Sequence, residues 1–142
     1  YETIAGGSGA TNQSDGASAV QVHMTNTRST DPEVLEHRFK EIRLEKFEIR
    51  EKSGGGGKFR GGDGVIREIK FLESRKVSIL SERRVFPPYG MSGGDEGLCG
   101  SNYLRTASGE EIKLGGKVER IVKPNETVII KTPGGGGFGS KS

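Results

Sequence analysis

The stretch Lys117-Val118-Glu119-Arg120-Ile121-Val122-Lys123-Pro124-Asn125-Glu126-Thr127-Val128-Ile129-Ile130-Lys131-Thr132 decides the fold class. Val128, Ile129 and Ile130 are an unbroken β-branched run, which fits a pleated, buried strand. Pro124-Asn125 is turn chemistry, so the stretch predicts strands at 117–122 and 127–132 folded back as a hairpin. Working outward, further strands are expected at 65–72, 76–80, 102–105 and 111–114, and Ser108-Gly109 makes a hairpin of the last two. From Glu41 the apolar period is two, with Ile42 and Leu44 on one face and Phe47 and Ile49 on one face. The phase slips across Glu45-Lys46, as it does at a β-bulge. Strands at spacings of about ten residues with glycine or Pro-Asn turns between them predict a mainly β fold, an antiparallel β-sandwich or barrel-like domain.

The first forty residues lack this periodicity. A short strand is expected at 19–24, and Thr30-Asp31-Pro32-Glu33 has the spacing of a capping box opening a short helix over 32–39, with Leu35 and Phe39 one turn apart. The organisation expected is therefore a loop-rich part with a short helix (1–40), a β-rich part (41–133) and a glycine-rich tail (134–142).

The chain has 142 residues, of which 24 are glycine, and no tryptophan. The glycines gather in six clusters: Gly6-Gly7, 54–57, Gly61-Gly62, Gly93-Gly94, Gly115-Gly116 and 134–137. The four middle clusters fall between expected strands and read as turns. Gly6-Gly7 and the run Gly134-Gly135-Gly136-Gly137 read as places of close backbone approach, to a ligand or to another part of the protein. Four consecutive glycines exceed what a hairpin needs, and their backbone N–H groups can converge on a phosphate, a carboxylate or another chain.

Composition excludes several classes. The 22 Lys and Arg offset 19 Asp and Glu to leave +3, spread along the chain, which argues against a nucleic-acid surface. No apolar run is long enough for a membrane helix. The single cysteine, Cys99, makes neither an internal disulfide nor a zinc site alone, and no metal site is expected. The pairs Gly57-Lys58 and Gly116-Lys117 precede Phe59 and Val118, so neither is a phosphate-binding P-loop. A chain beginning with Tyr1 reads as an excerpt from a longer protein.

Two polar groups carry possible chemistry. His23-Met24-Thr25-Asn26-Thr27-Arg28 sets an imidazole, hydroxyls, a carboxamide and a guanidinium side by side. It reads equally as a site for an anionic or amide-bearing ligand and as a buried loop whose side chains bond its own backbone. Ser81-Glu82-Arg83-Arg84 places a carboxylate and two guanidiniums where a strand ends, either as a solvated ion pair or as a functional loop.

In this order, Tyr1-Glu2-Thr3-Ile4-Ala5-Gly6-Gly7-Ser8-Gly9, His23 through Arg28, Gly61-Gly62-Asp63-Gly64-Val65, Ile79-Leu80-Ser81-Glu82-Arg83-Arg84, Gly115-Gly116-Lys117 and Thr132-Pro133-Gly134-Gly135-Gly136-Gly137-Phe138-Gly139 resemble the C-terminal part of the hydantoinase B and oxoprolinase family, in its eukaryotic single-chain 5-oxoprolinase type. The resemblance implies an ATP-dependent cyclic amide hydrolase. In it, an upstream hydantoinase A-type portion binds ATP with a divalent metal, and the B-type portion completes the site where the lactam of 5-oxo-L-proline is opened to L-glutamate. It implies a cytoplasmic, homo-oligomeric parent whose partners are its own upstream portions and a small lactam. This segment would be inactive alone and bind no cofactor by itself. Catalytic residues are not assigned. The expected substrate contacts are Asn26, Arg28, Glu82 and Arg83, with backbone approach at Gly134, Gly135, Gly136 and Gly137. The alternative is a free-standing β interaction module that binds a protein partner through its glycine-rich loops.

Overall fold

The computed structural model describes residues 1–21 and 31–141. Among them the chain runs α1 (Pro32–Arg38), β1 (Ile42–Arg50), β2 (Gly64–Phe71), β3 (Arg75–Leu80), β4 (Ser101–Arg105), β5 (Glu111–Leu114), β6 (Lys117–Val122) and β7 (Thr127–Lys131). Asp31 is the N-cap of α1 and Pro32 opens its first turn, where a missing N–H costs nothing. Leu35 is the helix's buried residue, and Glu36 Oε1 accepts the Leu44 N–H of β1 at 2.9 Å. Of the strand expected at 19–24, Val20 forms one bridge with Gly6 and Ala19 has φ 52°; the remainder lies outside the described residues.

All strand pairs are antiparallel. One sheet has the order β1-β2-β7-β4-β5 and a second pairs β3 with β6. The larger sheet ends on β1 and β5 without closing, so the fold is an open layered arrangement and not a barrel. The β1–β2 register shifts between Leu44 and Lys46, where the apolar phase slips. The β4–β5 hairpin turns at Ser108-Gly109, with Gly109 at φ 93°.

The second expected hairpin does not form. Lys117–Val122 pairs with β3, while Thr127–Lys131 lies between β2 and β4. The Pro124-Asn125 turn is present, with Asn125 at φ 68°, but it carries the chain from one sheet to the other. Burial explains the choice. Thr127, Val128 and Ile129 are all buried, so both faces of β7 need cover and both edges need partners, whereas in β6 only Val122 is buried. Leu104, Val122 and Val128 form the core between the sheets, with Phe71, Val77, Ile79, Leu114 and Ile130 packed on them.

Arg50, Gly64, Ser101 and Lys131 lie at one end of the larger sheet. Beyond that end the chain continues as extended glycine-rich segments, 53–58 after β1, 59–63 before β2, 88–98 before β4 and 133–139 after β7. Residues 6–10 and 14–19 join them. The segment 133–139 runs among the others. The Gly135 N–H donates to Gly62 O (2.8 Å) and its carbonyl accepts from Gly55 (2.8 Å), while Gly136 O accepts from Ala10 (2.9 Å). The Gly137 N–H donates to Asp95 O (2.9 Å) and its carbonyl accepts from Met91 (2.9 Å). Successive residues thus bond in different directions, as in a bundle of extended chains instead of a flat sheet. Side chains have no room inside such a bundle. A Cβ on Gly135 would overlap the Ser8 carbonyl, and one on Gly62 would overlap the Ala17 carbonyl. The expected division of the clusters is therefore corrected. Residues 54–57, Gly61-Gly62 and Gly94 belong to the bundle's close packing, not to turns, whereas Gly93 (φ 90°) and Gly115-Gly116 turn the chain.

Candidate functional site

Where the bundle meets the loop after β3, Gly7, Gly9, Ala10, Arg83, Pro88, Tyr89, Met91, Gly135, Gly136 and Gly137 enclose a cleft of about 230 Å³. The hydrogen bonds that pin Ala10 to Gly136 and Met91 to Gly137 fix two of its walls to its floor. A larger hollow of about 720 Å³ lies over α1 and is lined by Glu33, Val34, His37 and Arg38. Its walls come from one element, so it converges no groups from different parts of the chain, and the cleft is the stronger candidate.

Arg83 supplies the charge in the cleft. Its backbone is left-handed, with φ 56°, a conformation that costs a non-glycine residue energy and must be held by its surroundings. The Gly100 N–H holds its carbonyl at 2.9 Å. The guanidinium lies over the Tyr89 ring at 5.8 Å and reaches the Pro87 carbonyl at 3.5 Å. Among the described residues no carboxylate pairs with it. An always-charged fork stacked on an aromatic face with donors unspent suits a carboxylate or phosphate oxygen pair.

Arg84 turns the other way. Its Nη1 donates to the Glu82 carbonyl at 2.6 Å and its Nε to Asn102 Oδ1 at 3.3 Å. The guanidinium rests on Gly100, where a Cβ would come within 2.5 Å of Nη1. Burial, and then the charge of Arg50, lower its pKa from the ordinary value, with Cys99 acting in the opposite sense. Asn102, fully buried, also donates to Ser81 Oγ (3.1 Å) and the Gly115 carbonyl (3.2 Å), so Arg84 clamps the loop to β4.

The structure thus brings Arg83 together with Gly135, Gly136 and Gly137. Gly134 lies beside the cleft lining, bonded to Leu98 O at 3.3 Å. The Glu82 side chain is exposed, 3.8 Å from Lys117 Nζ, and does not line the cleft. Asn26 and Arg28 lie outside the described residues. Tyr89 and Met91 escaped the sequence reading; the signal was an aromatic straight after Pro87-Pro88 in a loop that already carried two arginines.

Among the described residues no group of three His, Cys, Asp or Glu side chains could hold a metal ion. No helix among them is long and apolar enough to cross a membrane.

The fold matches a domain of the ATP-dependent caprolactamase of Pseudomonas jessenii, with a TM-score of 0.82 and 28% identity over 96% of this chain and 24% of that one. The class is thus that of the hydantoinase B-like domains. Residues 1–141 match the family Hydantoinase B/oxoprolinase, and the chain belongs to it. It is 55% identical to 5-oxoprolinase 1 of Arabidopsis thaliana over 99% of its length and 52% identical to the 5-oxoprolinase of Dictyostelium discoideum over 99%. It spans about 11% of the length of each of these two relatives. Nothing in these similarities supports the free-standing interaction module.

Proposed function

We propose that this chain is the C-terminal segment of the hydantoinase B-type part of an ATP-dependent amidohydrolase that opens the lactam of 5-oxo-L-proline to give L-glutamate. The observation that carries this reading is 55% identity to a 5-oxoprolinase across 99% of the chain. The segment contributes one wall of the lactam site and is inactive by itself. Asn26, Arg28, Glu82 and Arg83 contact or support the substrate, and the glycine run 134–137 gives it a backbone surface without side chains. ATP and a divalent metal are held by upstream portions of the same cytoplasmic, homo-oligomeric protein.

The test is 5-oxo-L-proline-dependent ATP hydrolysis by the full-length protein, with L-glutamate measured in parallel. Coupled appearance of ADP and L-glutamate is the expected result. ATP hydrolysis that answers instead to a hydantoin or to caprolactam would move the protein to a sister activity of the family. A full-length protein that hydrolyses no cyclic amide would sink the reading.

A further inference from the structure

We infer that Arg83 is the specificity-determining residue of the cleft: its guanidinium, stacked on Tyr89 and without an acidic partner among the described residues, binds a ring-borne carboxylate and so selects anionic cyclic amides over neutral ones. The inference rests on the proposed lactam site but adds a role that family membership does not assign. Three observations converge on it. Among the described residues that line the cleft, Arg83 carries the one charged side chain. Its left-handed φ of 56° is a backbone outlier that must be maintained, whereas Arg84 beside it spends its hydrogen bonds on the protein. The volume, about 230 Å³, is below the roughly 300–1,000 Å³ of pockets for drug-sized ligands, which suits a single small ring. Glycine backbone on the floor leaves space for that ring free of side chains, with Met91 in the wall beside it.

A neutral lactam forfeits the charge-assisted hydrogen bonds that a carboxylate makes with the guanidinium. The experiment uses the full-length protein with 5-oxo-L-proline and 2-pyrrolidinone, the same ring without its carboxylate. Arg83→Gln is expected to lower kcat/KM for 5-oxo-L-proline by about 10–100-fold, mainly through KM, and to leave 2-pyrrolidinone unchanged. Arg83→Lys should recover part of the loss, since it restores charge without the bidentate fork. Arg83→Gly, which relieves the left-handed strain, gives the same comparison should the Gln variant fold poorly. Equal losses on both lactams, or none on either, would overturn the proposal. Calorimetric binding of the two lactams separates this failure from that of the enzymatic reading. If the wild type turns over neither ring, preferential binding of 5-oxo-L-proline that vanishes in Arg83→Gln still supports the role, and equal or absent binding refutes it.

Discussion

Arg83 and Arg84 adjoin in the chain and have opposite environments, and the cause is local. With Arg83 in the left-handed region the chain turns sharply between them, so one guanidinium faces the cleft and the other lies on Gly100 against β4. Asp63 is a charged residue whose work is purely structural. Its carboxylate Oδ1 accepts the Gly54 N–H and Arg60 Nη2, each at 2.8 Å, while its own N–H donates to Ser18 Oγ at 2.9 Å. Three bundle segments therefore meet at one residue. Burial alone would raise its pKa, but the bonds from Arg60, Gly54 and Lys52 and the charge of Arg60 together hold it below the ordinary 3.8. Since the folded value is depressed, the carboxylate stabilises the fold at pH above its unfolded pKa, and that contribution is lost as pH falls through the folded pKa. The expected outcome is a melting temperature that drops on acidification below about pH 4, with Asp63→Asn lower at pH 7 and flatter in acid. Parallel pH curves for wild type and variant in a melting titration from pH 7 to 3 would refute this role. Arg60 is 44% exposed, so solvent screening discounts the share of the effect that its ion pair supplies.

At the scale of elements, the glycines divide by what surrounds them. Gly135→Ala would drive a Cβ into the Ser8 carbonyl, and backbone bonds to Gly62 and Gly55 prevent the segment from moving aside. Gly115→Ala meets nothing nearer than 3.8 Å and has no left-handed φ. Urea titrations of the intact protein should give a loss for Gly135→Ala of roughly 1–3 kcal/mol or more, as for overpacking, and for Gly115→Ala a change of under about 1 kcal/mol. Similar losses in the two would mean that the bundle yields more easily than its geometry says. The strands are readable in sequence because alternation and β-branched runs are local properties: the bulge between Leu44 and Lys46 and the β4–β5 hairpin follow from local signals directly. The β6–β7 hairpin does not form although its turn does, because a turn such as Pro124-Asn125 fixes a reversal of direction, not the identity of the partner strand. The bundle was legible only as an excess of glycine. Its contacts join residues as distant as Ser8 and Gly62, or Gly55 and Gly135, and no periodicity within either segment encodes that pairing. The cleft was half legible for the same reason, since Arg83 and the glycine run stand out as motifs while Tyr89 and Met91 matter only through where the bundle puts them.

For the whole molecule, the question is whether a bundle with so few side chains is a loose appendage or part of the cooperative unit. Few apolar side chains are buried inside it, so its stability must come from satisfied backbone groups and from its anchors in the sheet. Those anchors are covalent and numerous: β1, β2, β4 and β7 each run directly into a bundle segment from the same sheet end. Thr132 reinforces the junction, with Oγ1 accepting the Val65 N–H at 2.7 Å and donating to the Ala5 carbonyl at 2.8 Å. Arg50 adds Nη1 bonds to the Cys99 and Thr132 carbonyls at 2.7 and 3.0 Å. Opening the bundle therefore requires freeing the ends of the central strands, and fraying those strands exposes the core around Val128 and Leu104. Sheet and bundle should consequently exchange hydrogen together. In native-state exchange on the intact protein, the amides of Gly55, Gly62, Gly135 and Gly137 are expected to open with free energies within about 1 kcal/mol of those of Leu104 and Ile129, and to shift with them as denaturant is added. Bundle amides exchanging through a separate opening several kcal/mol lower would show that the glycine segments are held by the sheet without holding it. The cleft, whose floor is Gly135 to Gly137, would then be a yielding surface, whereas a shared opening makes it as rigid as the core strands behind it.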